Sequence, residues 1–162
     1  MSSIKVDEAR KIILEKIAVQ GTEKVPISNA LNRILSEDIV ARRNNPPLDN
    51  SAMDGYALIA SDIESATPKN PVKLDIIEEL AAGYSPTMTV KSGQAVRIMT
   101  GAPIPKGADA VIMQEDTERN GNSVQVKDTA DPRENIRDAG EDVREGETVI
   151  LKGADLRPAH VG

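Results

Sequence analysis

Two short stretches concentrate the side chains of this sequence that could do chemistry. Pro46-Pro47-Leu48-Asp49-Asn50-Ser51-Ala52-Met53-Asp54-Gly55-Tyr56-Ala57 holds two carboxylates, an amide, a hydroxyl and one of the two tyrosines in the chain. Each proline fixes its own φ and turns the preceding residue away from helix, so the approach is extended, and Asp54-Gly55 supplies a turn. A rigid polar loop of this kind is where a scaffold presents binding or reacting groups. The second stretch, from Arg97 through Thr100-Gly101-Ala102-Pro103-Ile104-Pro105 to Gly107, follows an apolar run and reads as a strand end opening into a loop. There Gly101 lets the backbone approach a ligand closely, and Thr100 adds a hydroxyl beside freed amides. Alternating prolines keep the exit stiff.

Local chemistry leaves two roles open for each stretch. Ser51-Ala52-Met53-Asp54 fits a capping box, in which the Ser51 hydroxyl takes an amide near Asp54 and Asp54 reaches back to the amide of Ser51. Gly55 would end that helix after about one turn. Asp49 and Asp54 stand five apart, so on a helix they would point away from each other, which argues against a carboxylate dyad. Thr100 can equally close a local turn with its own side chain.

The elements that must position these loops follow from pattern. Asp7 caps a helix whose Ala9, Ile12, Ile13 and Ile17 recur at helical spacing, stopping before Gly21. Ser28 caps a short second helix through Ala30 and Leu31, ended at Asn32. Strands are expected over Asp38–Ala41, Val72–Leu80, Gln94–Met99, Asp109–Gln114, Ser123–Lys127 and Thr148–Leu151. The pair Asn120-Gly121 supplies a hairpin turn. Pro158 opens a final helix, where its missing N–H is harmless. The expected class is α+β and β-rich, with proline-marked crossings near 44–47 and 131–140.

Composition narrows the function classes. A chain of 162 residues holds one ordinary domain or two small lobes, and without Phe or Trp its core must be aliphatic. The net charge of −6, with both signs interspersed, argues against nucleic acid as a partner. No apolar run approaches a membrane span, and Asp7 and Glu8 interrupt any signal-peptide core, which favours the cytoplasm. The absence of cysteine excludes disulfides, thiol nucleophiles and cysteine-based zinc sites. His160, the single histidine, reads as structural or exposed. Glu115, Asp116 and Glu118 fit a solvated hairpin face better than a divalent-ion site.

Taken together, the motifs resemble a family. D-N-S-A-M-D-G-Y-A (49–57), R-I-M-T-G-A-P-I-P-K-G-A-D-A-V-I-M-Q-E-D-T-E (97–118) and E-N-I-R-D-A-G-E-D-V (134–143) are similar to the amino-terminal half of the molybdopterin molybdenumtransferases, the family of MoeA and the gephyrin E domain. Asn29 to Asp38 extends the likeness, with Asn32 where the family usually has glycine. Asparagine is the usual substitute for glycine in a left-handed helix-ending position. The resemblance runs from Val6 to Gly162.

It implies an enzyme that loads molybdenum from molybdate onto adenylated molybdopterin with release of AMP, works as a cytoplasmic homodimer and uses magnesium bound mainly by later domains. It implies a discontinuous, elongated first domain of helices and short strands (1–45 and 136–162) and an inserted all-β domain (46–135). The family continues past this point into a larger α/β domain and a small β domain, so this part would supply scaffold and one wall of the cleft and be inactive alone. Asp54 and Thr100 match the catalytic positions, with Asp49, Asn50, Ser51, Arg97 and Gly101 as substrate-binding neighbours and no metal ligand. Asp54 would hold metal-bound water or orient a substrate amine or hydroxyl. Arg97 would pair with a phosphate or with Asp54, and Tyr56 would stack on a pterin or pack the loop. The competing class is a stand-alone acidic β-rich module that binds a small polar ligand or a partner protein; the reading frame beyond Gly162 separates the two.

Overall fold

Aliphatic residues at strand spacing build most of the structure, a computed structural model that describes residues 4–18 and 20–162. The chain divides into two compact units, Met1–Ile39 with Ile150–Gly162, and Val40–Val149. The dividing points fall inside two short strands, β1 (Ile39–Val40) and β10 (Thr148–Ile150).

The first unit is small and thinly packed. Its helix α1 (Val6–Lys16) carries Asp7 and Glu8 in the first turn and Lys16 in the last, charges that complement the helix dipole. Lys5, not Asp7, occupies the N-cap and caps nothing with its side chain. None of the helix's residues is buried: Leu14 is 61% and Ile17, just past its end, 64% exposed, so the apolar spacing forms a helix that no described residue covers. Ser28 likewise caps nothing; it lies inside a single 3-10 turn, Ile27–Asn29, entered from Pro26. Backbone bonds tie Asn32 to Leu156 and Leu35 to Ala154, and the short α2 (Pro158–Val161) begins on its proline as expected. His160 Nδ1 accepts the Arg157 amide, a local structural use of the one imidazole.

Asn32 adopts φ 61°, the left-handed conformation its place in the motif foretold. A Cβ is tolerated there only with help from a short polar side chain. Asn32→Ala is expected to cost about 1 kcal/mol, and Asn32→Gly to be neutral or stabilising; urea midpoints of the two variants measure the difference.

The second unit is built on a six-stranded sheet in the order β6 (Ala110–Met113), β3 (Gly55–Leu58), β5 (Gln94–Ile98), β4 (Val72–Leu80), β8 (Ser123–Val126), β7 (Thr117–Asn120). Only β4 and β5 run parallel; every other pair is antiparallel. Alternation divides the core between two faces. Tyr56, Leu58, Ala95, Ile112, Val124 and Val126 pack with Ile63 and Leu74 in one cluster, and Ala57, Val96, Ile98, Val111 and Leu80 in the other.

The strands at 72–80, 94–98, 110–113 and 123–126 lie where pattern placed them. The expected loop through Ala57 is overturned: Gly55–Leu58 is a central strand, buried at every position. It escaped notice because a strand covered on both faces has no polar alternation to read. The hairpin between β7 and β8 closes on Asn120↔Ser123, so its two-residue turn is Gly121-Asn122, one position later than the Asn-Gly pair suggested. Gly121 at φ 59° takes the first turn position.

A second, two-stranded pairing joins β2 (Asn50–Ser51) to β9 (Ile136–Arg137). Near it the Asn45 amide donates to the Val143 carbonyl at 2.8 Å and the Gly140 amide to the Pro46 carbonyl at 2.9 Å. These bonds hold 136–149 beside 40–51. The compact division therefore falls outside the proline-marked crossings at 44–47 and 131–140.

Candidate functional site

Antiparallel pairing brings the two chemical stretches together. Gly55 opens β3 opposite Ile98 near the end of β5, so the residue before β3 and the turn after β5 share one sheet end. That juxtaposes Asp54 and Thr100. One Asp54 carboxylate oxygen, Oδ1, accepts both the Thr100 amide at 2.8 Å and the Thr100 hydroxyl at 2.9 Å. Oδ2 has no protein partner among the described residues.

The capping box does not form. Asp54 is engaged across the sheet, and Ser51 is fully buried. Its hydroxyl donates to the Met53 carbonyl at 2.5 Å, and its amide donates to the Ala102 carbonyl at 3.0 Å. A side chain so enclosed shapes the loop; it has no surface to offer a substrate. Gly101 is also committed, its amide donating to the Ser51 carbonyl at 2.8 Å. At φ 81° it is glycine for backbone conformation, since a Cβ there would only brush Ala82 at 3.8 Å.

Arg97 makes no bond to Asp54. Its guanidinium lies over the Tyr56 ring, 5.0 Å from the centroid, with Nη1 donating to the Gly55 carbonyl at 3.0 Å and Nη2 to the Gln114 side-chain carbonyl. The Gln114 amide in turn donates to the Asp54 carbonyl at 3.1 Å. Tyr56, only 3% exposed, is the anchor of this arrangement and cannot stack on a ligand itself.

Asp49 belongs to a different network. Its carboxylate accepts the Ala139 amide at 2.8 Å and the Arg133 guanidinium at 2.9 Å, and Arg133 also pairs with Asp138. The Asn50 amide group donates to the Leu48 carbonyl at 3.3 Å, and its backbone pairs with Arg137. Asp54, Thr100, Arg97 and the backbones of Ser51 and Gly101 are thus assembled; the Asp49 and Asn50 side chains are spent elsewhere. Gln114 and Asn135 went unassigned from sequence, although both lie inside the quoted motifs. Asn135 accepts the Ala52 amide on its carbonyl and donates its side-chain amide to the Val111 carbonyl at 2.9 Å, bracing the loop from behind.

Hydrogen bonds from the Thr100 amide, then the Thr100 hydroxyl, hold the Asp54 carboxyl below the usual carboxylate range. The Ala139 amide does the same for Asp49 against the opposing effect of burial, with help from Arg133. A carboxylate with a depressed folded-state pKa contributes stability that is present above its unfolded value and disappears as pH falls through the folded one. Urea midpoints are therefore expected to hold at neutral pH and fall below about pH 4, and Asp54→Asn to flatten that fall. An acid limb of unchanged steepness in Asp54→Asn would show that the charge contributes nothing.

The site can hold an oxygen- or nitrogen-bearing group against an ionised carboxylate whose geometry is fixed by two donors. It does not by itself fit a magnesium ion: among the described residues no group of three or more His, Asp or Glu side chains gathers closely enough to hold one. No helix among the described residues is long and apolar enough to cross a membrane.

Comparisons with known proteins identify the family. The family described as MoeA N-terminal region (domain I and II) matches residues 4–162. A molybdopterin molybdenumtransferase 2 of Mycobacterium tuberculosis is 41% identical over 157 residues, which is 97% of this chain and 39% of that protein. A molybdopterin molybdenumtransferase of Haemophilus influenzae is 41% identical over 155 residues, 94% of this chain and 37% of its own length. The crystal structure of a molybdopterin biosynthesis moeA protein from Pyrococcus horikoshii OT3 superposes with a TM-score of 0.88 at 46% identity, covering 96% of this chain and 41% of that one. The chain belongs to the family of the MoeA N-terminal region. It spans about two fifths of the length of these curated relatives.

Proposed function

We propose that this chain supplies the scaffold and one wall of the cleft in a molybdopterin molybdenumtransferase, which transfers molybdenum from molybdate to adenylated molybdopterin and releases AMP. The observation that carries the proposal is the Asp54–Thr100 pair, an ionised carboxylate fixed by two donors at the end of a rigid sheet. Asp54 is the group that orients a substrate amine or hydroxyl, or a metal-bound water, and Thr100 holds it in register. Arg97 acts through Tyr56 and Gln114 to fix the Asp54-Gly55 peptide. Magnesium in such an enzyme is held mainly by its other domains, and the working form is a cytoplasmic homodimer by family likeness.

The domain plan proposed is a discontinuous first domain (1–45 and 136–162) with an all-β insert (46–135). A compact unit assembled from both ends of the chain, 1–39 with 150–162, supports the discontinuity.

Incubation with adenylated molybdopterin, magnesium and molybdate tests the assignment. This chain alone is expected to release no AMP above a no-protein control, and a protein carrying the family's full length to release it. AMP release by the 162-residue chain would overturn the one-wall assignment, and none from the longer protein would overturn the activity.

A further inference from the structure

Gln114, which braces Asp54, also lines a cavity of about 440 Å³ with Tyr56, Arg97, Glu115, Thr117 and Arg119. Two arginines suggest a phosphate seat, but each already gives two of its five N–H groups to the protein. Both terminal amines of Arg97 are committed, to Gly55 and Gln114. Arg119 gives Nε to the Gly121 carbonyl at 3.0 Å and Nη2 to Glu79 at 2.6 Å. Those bonds hold both guanidiniums in place, so neither is free to turn onto a phosphate as a bidentate fork. Glu79 and Glu115 also offset the two positive charges.

What Arg97 retains is its flat face, held rigid by Tyr56 beneath it and by two hydrogen bonds at its edge. A guanidinium plane stacks on planar heteroaromatic rings. Among the described residues, Glu115, on the same lining, has only a long 3.4 Å contact from the Gln114 amide group. An ionised carboxylate accepts hydrogen bonds and donates none, so it favours a ring edge with two adjacent N–H donors. The 2-amino-4-oxo edge of a pterin has that pair; the hydrogen-bonding edge of adenine alternates donor and acceptor.

We propose that this cavity seats the pterin ring of the substrate, stacked on Arg97 with its amino-pyrimidinone edge on Glu115, while the adenylate lies elsewhere. The choice of a pterin rests on the function proposed above; the stacking face and the acceptor rest on the geometry. The adjacency to Asp54 through Gln114 would bring the far side of the pterin toward the Asp54–Thr100 pair.

The test uses the 162-residue chain and 6-hydroxymethylpterin, followed by quenching of pterin fluorescence. Saturable quenching is expected. Glu115→Gln, which replaces one acceptor oxygen by a donor on an exposed side chain, should weaken binding about tenfold without moving the melting temperature. Arg97→Lys, which keeps the charge and removes the plane, should weaken it similarly, with a thermal melt to verify folding. AMP at equal concentration should not displace the pterin. Quenching unchanged in Glu115→Gln, or AMP displacing the pterin at equal concentration, would overturn the assignment. The assay contains neither molybdate nor adenylate, so a negative result beside AMP release by the longer protein removes the pterin seat and leaves the function standing.

Discussion

Replacing Asp54 by alanine is expected to lower molybdenum insertion at least about 100-fold in a protein of the family's full length, while the melting temperature moves by no more than a few degrees. Both halves follow from the geometry. The carboxylate is part-exposed, and its donors, the Thr100 amide and hydroxyl, can turn to water when it is removed. Such surface losses are small on the stability scale, within about 1 kcal/mol. The functional loss is large because a charge held by two fixed donors is already oriented before substrate arrives.

Asp54→Asn separates charge from shape. Its side-chain oxygen can still accept both Thr100 donors, so the turn survives and only the negative charge is lost. Activity as low as in Asp54→Ala assigns the role to charge, and near-normal activity assigns it to loop geometry. A melt lowered by ten degrees or more, with activity per folded molecule unchanged, would sink the proposed role of Asp54 altogether.

Gly55→Ala is expected to have the largest effect on stability. A Cβ at that position would lie 2.0 Å from the Ile112 carbonyl oxygen and 3.0 Å from its carbon, both backbone atoms. Gly55 is paired with Ile98 on one side and Met113 on the other, and Ala57 and Leu58 beyond it are fully buried. The strand therefore has nowhere to retreat. Overpacking of this kind costs about 3 kcal/mol, or a fall on the order of 10 °C in melting temperature. Gly21→Ala is the control, because an added Cβ there meets nothing within 4 Å and its φ is not positive. Melts of the two variants that differ by less than a couple of degrees would show that β3 is not the fixed centre of the sheet.

The two halves of the candidate site were unequally legible. Asp54 and Thr100 stood out because polar, turn-forming residues interrupt aliphatic runs, and the motifs around them carry a family likeness. Their partnership was not legible. The nearest partner for Asp54 in sequence is Ser51, three residues away, and the spacing suits a capping box. The real partner lies 46 positions on, and Ser51 is buried with its hydroxyl turned to Met53. Likewise the Arg97 side chain offered a phosphate or Asp54 equally well until the sheet placed Gly55 and Gln114 within its reach.

By itself the sequence determined the strands at 72–80, 94–98, 110–113 and 123–126, the left-handed bend at Asn32, the proline start of α2 and the family. These are local matters, fixed by period, by backbone preference and by motif. Tertiary structure alone decided that Gly55–Leu58 is a central strand, that no residue of the helix Val6–Lys16 is buried among the described residues, and which donors close on Asp54. The physical reason is common to all three. Burial and long-range hydrogen bonding depend on which segments are brought side by side, and strand pairing sets that across tens of residues of chain.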